Sequence, residues 1–138
     1  MNAIPHGYHT LTPYMSVTNA PAFLQFLQNA FGAEAIEVSK GADGTIYNAE
    51  VRLGTSMLMV AEAPKGNPFM LYMYVENPDA LFDRAVKAGA KVVRPMGDQF
   101  YGDRCGGLED SWGNQWWPAK RIQMVSPEQV AAHKDKNK

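Results

Sequence analysis

Few side chains in this 138-residue sequence are of a type that does chemistry unaided. Cys105 is the lone cysteine, and none of the three histidines, His6, His9 and His133, stands next to it. A thiol attacks as its thiolate and needs a base or a positive neighbour, so Cys105 reads as a structural thiol ahead of a nucleophile. There is no Ser, His and Asp set, no clustered Cys and His pattern and no phosphate-cradling glycine loop; residues 41–44 are too short for a dinucleotide fingerprint and read as a hairpin turn. What remains is an alternating pattern. Glu50 and Arg52 sit two apart in a β-like run, which places both on one face of a strand, and Tyr14, Met70, Tyr72 and Tyr74 alternate in the same way elsewhere. A carboxylate or a phenol so placed can hydrogen-bond a ligand or move a proton, and the rings can stack on a flat one.

The elements that must position these residues come in two copies. Tyr14-Met15-Ser16-Val17-Thr18-Asn19 returns as Tyr72-Met73-Tyr74-Val75-Glu76-Asn77, and at the same offset Ala22 matches Ala80 and Ala30 matches Ala88. Each copy runs from a strand into a short helix. Asn19 is a suitable N-cap, and Phe23, Phe26, Leu27, Ala30 and Phe31 have the three-and-four spacing of one helical face before Gly32. In the second copy Asn77 caps, Pro78 takes the first helical position, and Leu81, Phe82, Ala85 and Ala88 form the stripe before Gly89. Strand-like runs follow at 35–39, 46–53 and 57–61, then at 91–94, 105–109 and 115–119. Turn chemistry separates them at 41–44, 54–55, 95–97 and 111–114. The order is β-α-β-β-β twice, with residues 64–68 as the link. A short helix over 129–133 follows Ser126-Pro127-Glu128.

Alternation assigns faces. Leu11, Met15 and Val17 are expected under the first helix, with Thr12, Tyr14 and Ser16 facing the other way; Leu71, Met73 and Val75 oppose Met70, Tyr72 and Tyr74; Ala49, Val51 and Leu53 oppose Asn48, Glu50 and Arg52.

Composition bounds the remainder. Thirteen Lys and Arg against 14 Asp and Glu leave a net charge of -1, so neither nucleic acid nor an anionic membrane is favoured as a partner. Lys134, Lys136 and Lys138 read as a solvated C-terminal end. One cysteine forms no internal disulfide, residues 1–9 have neither a basic start nor an apolar run, and no stretch is apolar enough to span a bilayer, so a cytoplasmic location is expected. The length suits a single domain over 1–138, with repeat one at about 8–63, repeat two at about 69–120 and a tail at 121–138.

Four further segments stand out: Thr12-Pro13-Tyr14, Ala30-Phe31-Gly32-Ala33, Ala88-Gly89-Ala90-Lys91-Val92 and above all residues 101–116, Tyr-Gly-Asp-Arg-Cys-Gly-Gly-Leu-Glu-Asp-Ser-Trp-Gly-Asn-Gln-Trp. On these, over residues 10 to 128, the chain resembles the vicinal-oxygen-chelate superfamily of glyoxalase and bleomycin-resistance proteins, in its PhnB-like branch. The resemblance implies an α+β fold in which two βαβββ repeats form an open mixed β-barrel around a small-molecule cavity, and a homodimer whose interface would draw on Phe69, Phe100, Tyr101 and Trp112. Metal-dependent members hold a divalent cation on His and Glu. The corresponding places here are Thr12, Met57 or Met59, Met70 and Trp117, none a strong ligand for such an ion, so neither metal nor other cofactor is expected.

The ligand-facing residues implied are Thr12, Tyr14, Glu50, Arg52, Met57, Met59, Met70, Tyr72, Tyr74, Arg104 and Trp117, with Phe100, Tyr101, Trp112 and Trp116 near the rim. Each aromatic also has a plain reading as core filling, and Asp103 and Arg104 read first as a salt bridge fixing a glycine-rich loop. Two functions remain open: a metal-free protein that sequesters or senses a partly aromatic compound, and a lyase, isomerase or dioxygenase-like enzyme with a nonstandard or absent metal site, using Glu50 or a tyrosine as acid or base.

Overall fold

The computed structural model describes residues 1–136, so Lys138 of the C-terminal lysine group lies outside the described residues. Two compact units divide the chain between Phe69 and Met70, one residue past the expected link. The fold is α+β, with two four-stranded mixed sheets and three helices. Neither sheet closes on itself.

The first unit holds β1 (Tyr14–Val17), α1 (Ala20–Phe31), β2 (Glu34–Lys40), β3 (Ile46–Leu53) and β4 (Ser56–Glu62), in the sheet order β1-β4-β3-β2. Strand β1 runs parallel to β4, and the other pairs are antiparallel. Asn19 caps α1 from the left-handed region (φ 54°), its side chain accepting from the Ala22 N–H, and the Glu62 carboxylate accepts from the Asn19 and Ala20 N–H groups at 2.9 Å each. A carboxylate at a helix N-terminus satisfies orphan donors and complements the helix dipole. The expected stripe of Phe23, Phe26, Leu27, Ala30 and Phe31 is buried throughout, where α1 packs on β3 and β4. Met15, Val17, Ala49, Val51, Leu58 and Val60 form the sheet side of that core.

The second unit repeats the plan with β5 (Met70–Tyr74), α2 (Pro78–Lys87), β6 (Lys91–Asp98), β7 (Asp103–Glu109) and β8 (Gln115–Arg121), ordered β5-β8-β7-β6, and adds α3 (Pro127–Lys136). Asn77 accepts from the Ala80 N–H as an N-cap, and α2 packs Phe82 and Ala85 on the sheet. The β7–β8 turn is held by one buried carboxylate. Asp110 accepts from the Trp112 and Asn114 N–H groups, the Asn114 amide and the Trp116 indole N–H, all within 2.9–3.0 Å.

Four expectations are corrected. Strand β1 begins only at Tyr14, so Leu11, expected in the core, is 86% exposed, and Thr12 precedes the strand. Residues 95–97, expected as a turn, lie within β6. That strand is at the sheet edge, and its register shifts between Arg94 and Gly97, so Pro95 takes a place where no ladder N–H is needed. Trp116, expected near a rim, is buried in the core beside Leu108, its cross-strand partner. The C-terminal helix is longer than 129–133, and none of its residues is buried; His133 stacks on Phe100 with ring centroids 4.2 Å apart.

Candidate ligand-binding faces

In each unit one side of the sheet carries the helix and the other is open. On the first sheet the ladder aligns Tyr14, Met59 and Glu50 across β1, β4 and β3, with Met57 and Arg52 paired one step along. The alternation in the sequence thus placed Tyr14, Glu50, Arg52, Met57 and Met59 on one face, opposite the buried Met15, Val60, Ala49 and Val51. A residue not singled out joins them. The Tyr8 hydroxyl donates to the Glu50 carboxylate, and burial together with the charges of Glu50 and Glu37 pushes its pKa up to about 12. Residues 5–8 fold back over the open face, with Gly7 against the Met57 side chain and a turn closed by the Tyr8 N–H on the Pro5 carbonyl. A cleft of about 350 Å3 is left beside them, lined by His6, Gly7, Arg52, Thr55 and Met57 among others.

On the second sheet the ladder aligns Tyr72 with Trp117 and Tyr74 with Ala119, while Met70 faces Gln115. Gly107 makes room for the Trp117 indole, since a Cβ there would lie 2.6 Å from the ring. Tyr72 and Tyr74 meet edge to face with centroids 5.4 Å apart, and they remain 40% and 59% exposed. Their hydroxyls, expected to reach a ligand, are committed elsewhere. Both donate to Oδ2 of Asp103, at 2.7 and 2.8 Å, while Arg121 donates through Nε to Oδ1 at 2.6 Å.

Asp103 is only 2% exposed. Burial works against its charge, yet the Arg121 guanidinium and the two phenols outweigh that cost and hold its pKa below the ordinary Asp value. Burial and the hydrogen bond to Asp103 drive the Tyr72 phenol up, and burial with the Cys105 contact does the same for Tyr101, whose hydroxyl lies 3.3 Å from the Cys105 sulfur. These phenols stay neutral at ordinary pH. They offer stacking and fixed dipoles, not a base.

Arg104, expected among the ligand-facing residues, lies on the helix side instead. Its guanidinium forks onto Asp79 in α2 through Nε and Nη2, at 2.8 and 2.6 Å, and reaches Asp98 through Nη1 at 3.0 Å. Strand alternation makes this necessary, because Asp103 already faces the open side.

Sequence reasoning missed Tyr8 and Arg121 as parts of these faces, and read Asp103 first as a salt-bridge residue, which its ion pair with Arg121 makes it. Asp103 and Arg121 are cross-strand partners in the β7–β8 hairpin, a pairing that the turn at 111–114 implies once Glu109 faces Gln115. Tyr8 left no such signal. For a divalent metal the places implied by the resemblance hold a hydroxyl, thioethers and an indole, a donor set that does not fit a hard cation, and among the described residues no three His, Cys, Asp or Glu side chains converge.

Comparison with known proteins gives a consistent frame. Residues 8–117 match the family model described as Glyoxalase/Bleomycin resistance protein/Dioxygenase superfamily. A relative in Mycobacterium bovis, the uncharacterized protein Mb0911c, is 29% identical over 136 residues, covering 88% of this chain and 90% of the relative. Among solved structures, TioX from Micromonospora sp. ML1 superposes with a TM-score of 0.72 at 23% identity, covering 83% of this chain and 99% of its own. A glyoxalase/bleomycin resistance protein/dioxygenase family enzyme from Burkholderia phytofirmans PsJN superposes with a TM-score of 0.65 at 18% identity, covering 79% and 95%. At those identities the structures show a shared fold.

Proposed function

The chain belongs to the glyoxalase/bleomycin resistance/dioxygenase superfamily, and on that premise we propose that it is a metal-free binding protein that sequesters or senses a small, partly aromatic compound. The observation that carries this reading is the pair of exposed rings, Tyr72 and Tyr74, beside Trp117 on the open face of the second sheet. Rings whose hydroxyls are tied back to Asp103 present their faces and edges to solvent, which suits stacking. Tyr14, Met57 and Met59 give the first sheet a similar surface, with Glu50 and Arg52 as its polar groups. The raised phenol pKa values speak against the enzyme reading in which a tyrosine serves as base. No helix among the described residues is long and apolar enough to cross a membrane.

A thermal-shift screen of aromatic compounds tests the reading, since a compound at 100 times its dissociation constant adds about 2.7 kcal/mol of stability. For any compound so found, Tyr74→Ala should weaken binding about tenfold while lowering stability by less than about 1 kcal/mol. Tyr74→Phe should stay within about threefold of the parent, because the ring is kept and the lost hydroxyl served Asp103. Equal losses of binding and stability in Tyr74→Ala would make the ring part of the core, and a large loss in Tyr74→Phe would return the hydroxyl to the ligand.

We further infer a single cytoplasmic domain that pairs as a homodimer. Both β2 and β6 are edge strands without a buried residue, and Ile36, Val38, Val92 and Val93 among them are exposed. Unpaired edges with apolar side chains favour a partner copy, and two-fold pairing closes the assembly. Light scattering at micromolar concentration should give about twice 15.3 kDa; the monomer mass would end the claim.

A further inference from the structure

We propose that Arg121 is the anion-recognising residue of the second sheet's open face, so that the compound taken there is an aromatic anion, a carboxylate or a group of like shape, with its ring on Tyr72 and Tyr74. The inference deepens the binding reading above and rests on it. A guanidinium carries five N–H groups arranged as a fork. The inner edge of Arg121 is in use, with Nε on Asp103 Oδ1 at 2.6 Å and Nη2 on the Tyr74 hydroxyl at 3.4 Å. Its outer edge, Nη1 and the second Nη2 proton, has no protein partner among the described residues, and the side chain is 47% exposed.

Two features make this more than a surface ion pair. Asp103 is buried and takes three donors, Tyr72, Tyr74 and Arg121, so the carboxylate that orients the guanidinium is itself fixed by the rings. The free edge therefore has a set direction, beside the exposed Tyr74 ring. A planar fork held from behind matches a carboxylate bidentately, which a flexible ammonium does not. Asp103 also neutralises the net charge of the pair, so recognition depends on the shape of the fork more than on general attraction of anions. The phenol protons are already committed to Asp103, so they do not compete for the ligand's oxygen atoms. The ring faces and the fork remain for a ligand with an arene at one end and an anion at the other.

The test uses 2-naphthoate and its neutral counterpart 2-naphthamide, titrated by calorimetry into the full chain. The proposal expects naphthoate to bind at least about tenfold more tightly than naphthamide, as charge-assisted bidentate pairing requires. Arg121→Gln should remove that preference and leave naphthamide within about twofold. Because that variant leaves the buried Asp103 without its cation and can fail to fold, Arg121→Lys is the companion. It keeps the charge, loses the fork, and should lower naphthoate affinity about threefold to tenfold with naphthamide unchanged. Lys120→Gln, one residue away on the helix side of β8, controls for charge alone and should change neither affinity. Equal affinities for the two probes, with both lost in Tyr74→Ala, would overturn the anion assignment and leave the aromatic site standing. No heat from either probe at millimolar concentration would overturn the assignment together with the reading on which it rests.

Discussion

Gly102→Ala is expected to destabilise the protein by about 4 kcal/mol, the combined cost of backbone strain and of overpacking against an atom that cannot move aside. Gly102 has φ +98°, a region that side-chain-bearing residues rarely adopt, and a Cβ there would stand 2.3 Å from the Gln123 carbonyl oxygen and 3.2 Å from the Val125 side chain. The clash has no cheap relief. The Gly102 carbonyl accepts from the Ile122 and Gln123 N–H groups at 2.9 and 3.1 Å, and its own N–H donates to the Gln99 carbonyl at 3.1 Å, so the two segments are stitched together where they collide. Gly44→Ala supplies the contrast. Gly44 also has positive φ, +83°, but nothing lies within 4 Å of the added carbon, so the strain acts alone and the expected cost is about 1–2 kcal/mol. Urea denaturation of both variants reads the difference directly. A Gly102→Ala loss no larger than that of Gly44→Ala would show that the 122–125 segment gives way freely and that strain acts alone there too.

The same locality explains what could be read from the sequence. Signals within one turn of helix or one hairpin were legible: Asn19 and Asn77 as caps, the Phe23 to Phe31 stripe, β3 at Ile46–Leu53, and the alternation that put Glu50 beside Arg52 and Tyr72 beside Tyr74. Pro95 misled because a proline inside a strand pattern reads as a stop, whereas an edge strand with a bulge accommodates it. Leu11 misled because parity was extended past Pro13, beyond the start of the ladder at Tyr14. Tyr8 was illegible for a different reason. Its partner Glu50 belongs to a strand that comes after two other strands and a helix, and no repeat or turn ties the N-terminal segment to it. Arg104 was read by its neighbourhood in a strong motif, and the face it occupies follows only once the strand is placed at Asp103.

Asp103→Asn is expected to cost about 2–4 kcal/mol at neutral pH, because three donors converge on the carboxylate and an amide offers them a single acceptor oxygen. Either Arg121, which uses Oδ1, or both phenols, which share Oδ2, must then face an NH2 group. The pH dependence separates this from simple misfit. The folded-state pKa of Asp103 lies below its ordinary value of 3.8, so its contribution is fully present above that value and is lost as pH falls through the lower folded one. Stability measured from pH 7 down to pH 3 should therefore fall more steeply in the parent than in Asp103→Asn, and the gap between them should narrow on the acid side. Asp79, whose pKa is also lowered through its bonds to Arg104, is present in both proteins and cancels from the difference. A gap that stayed constant down to pH 3 would mean that the charge of Asp103 does not hold Tyr72, Tyr74 and Arg121 in place. If the gap narrows as expected, the variant should also bind aromatic ligands less tightly, since the two rings and the guanidinium would have lost their common anchor.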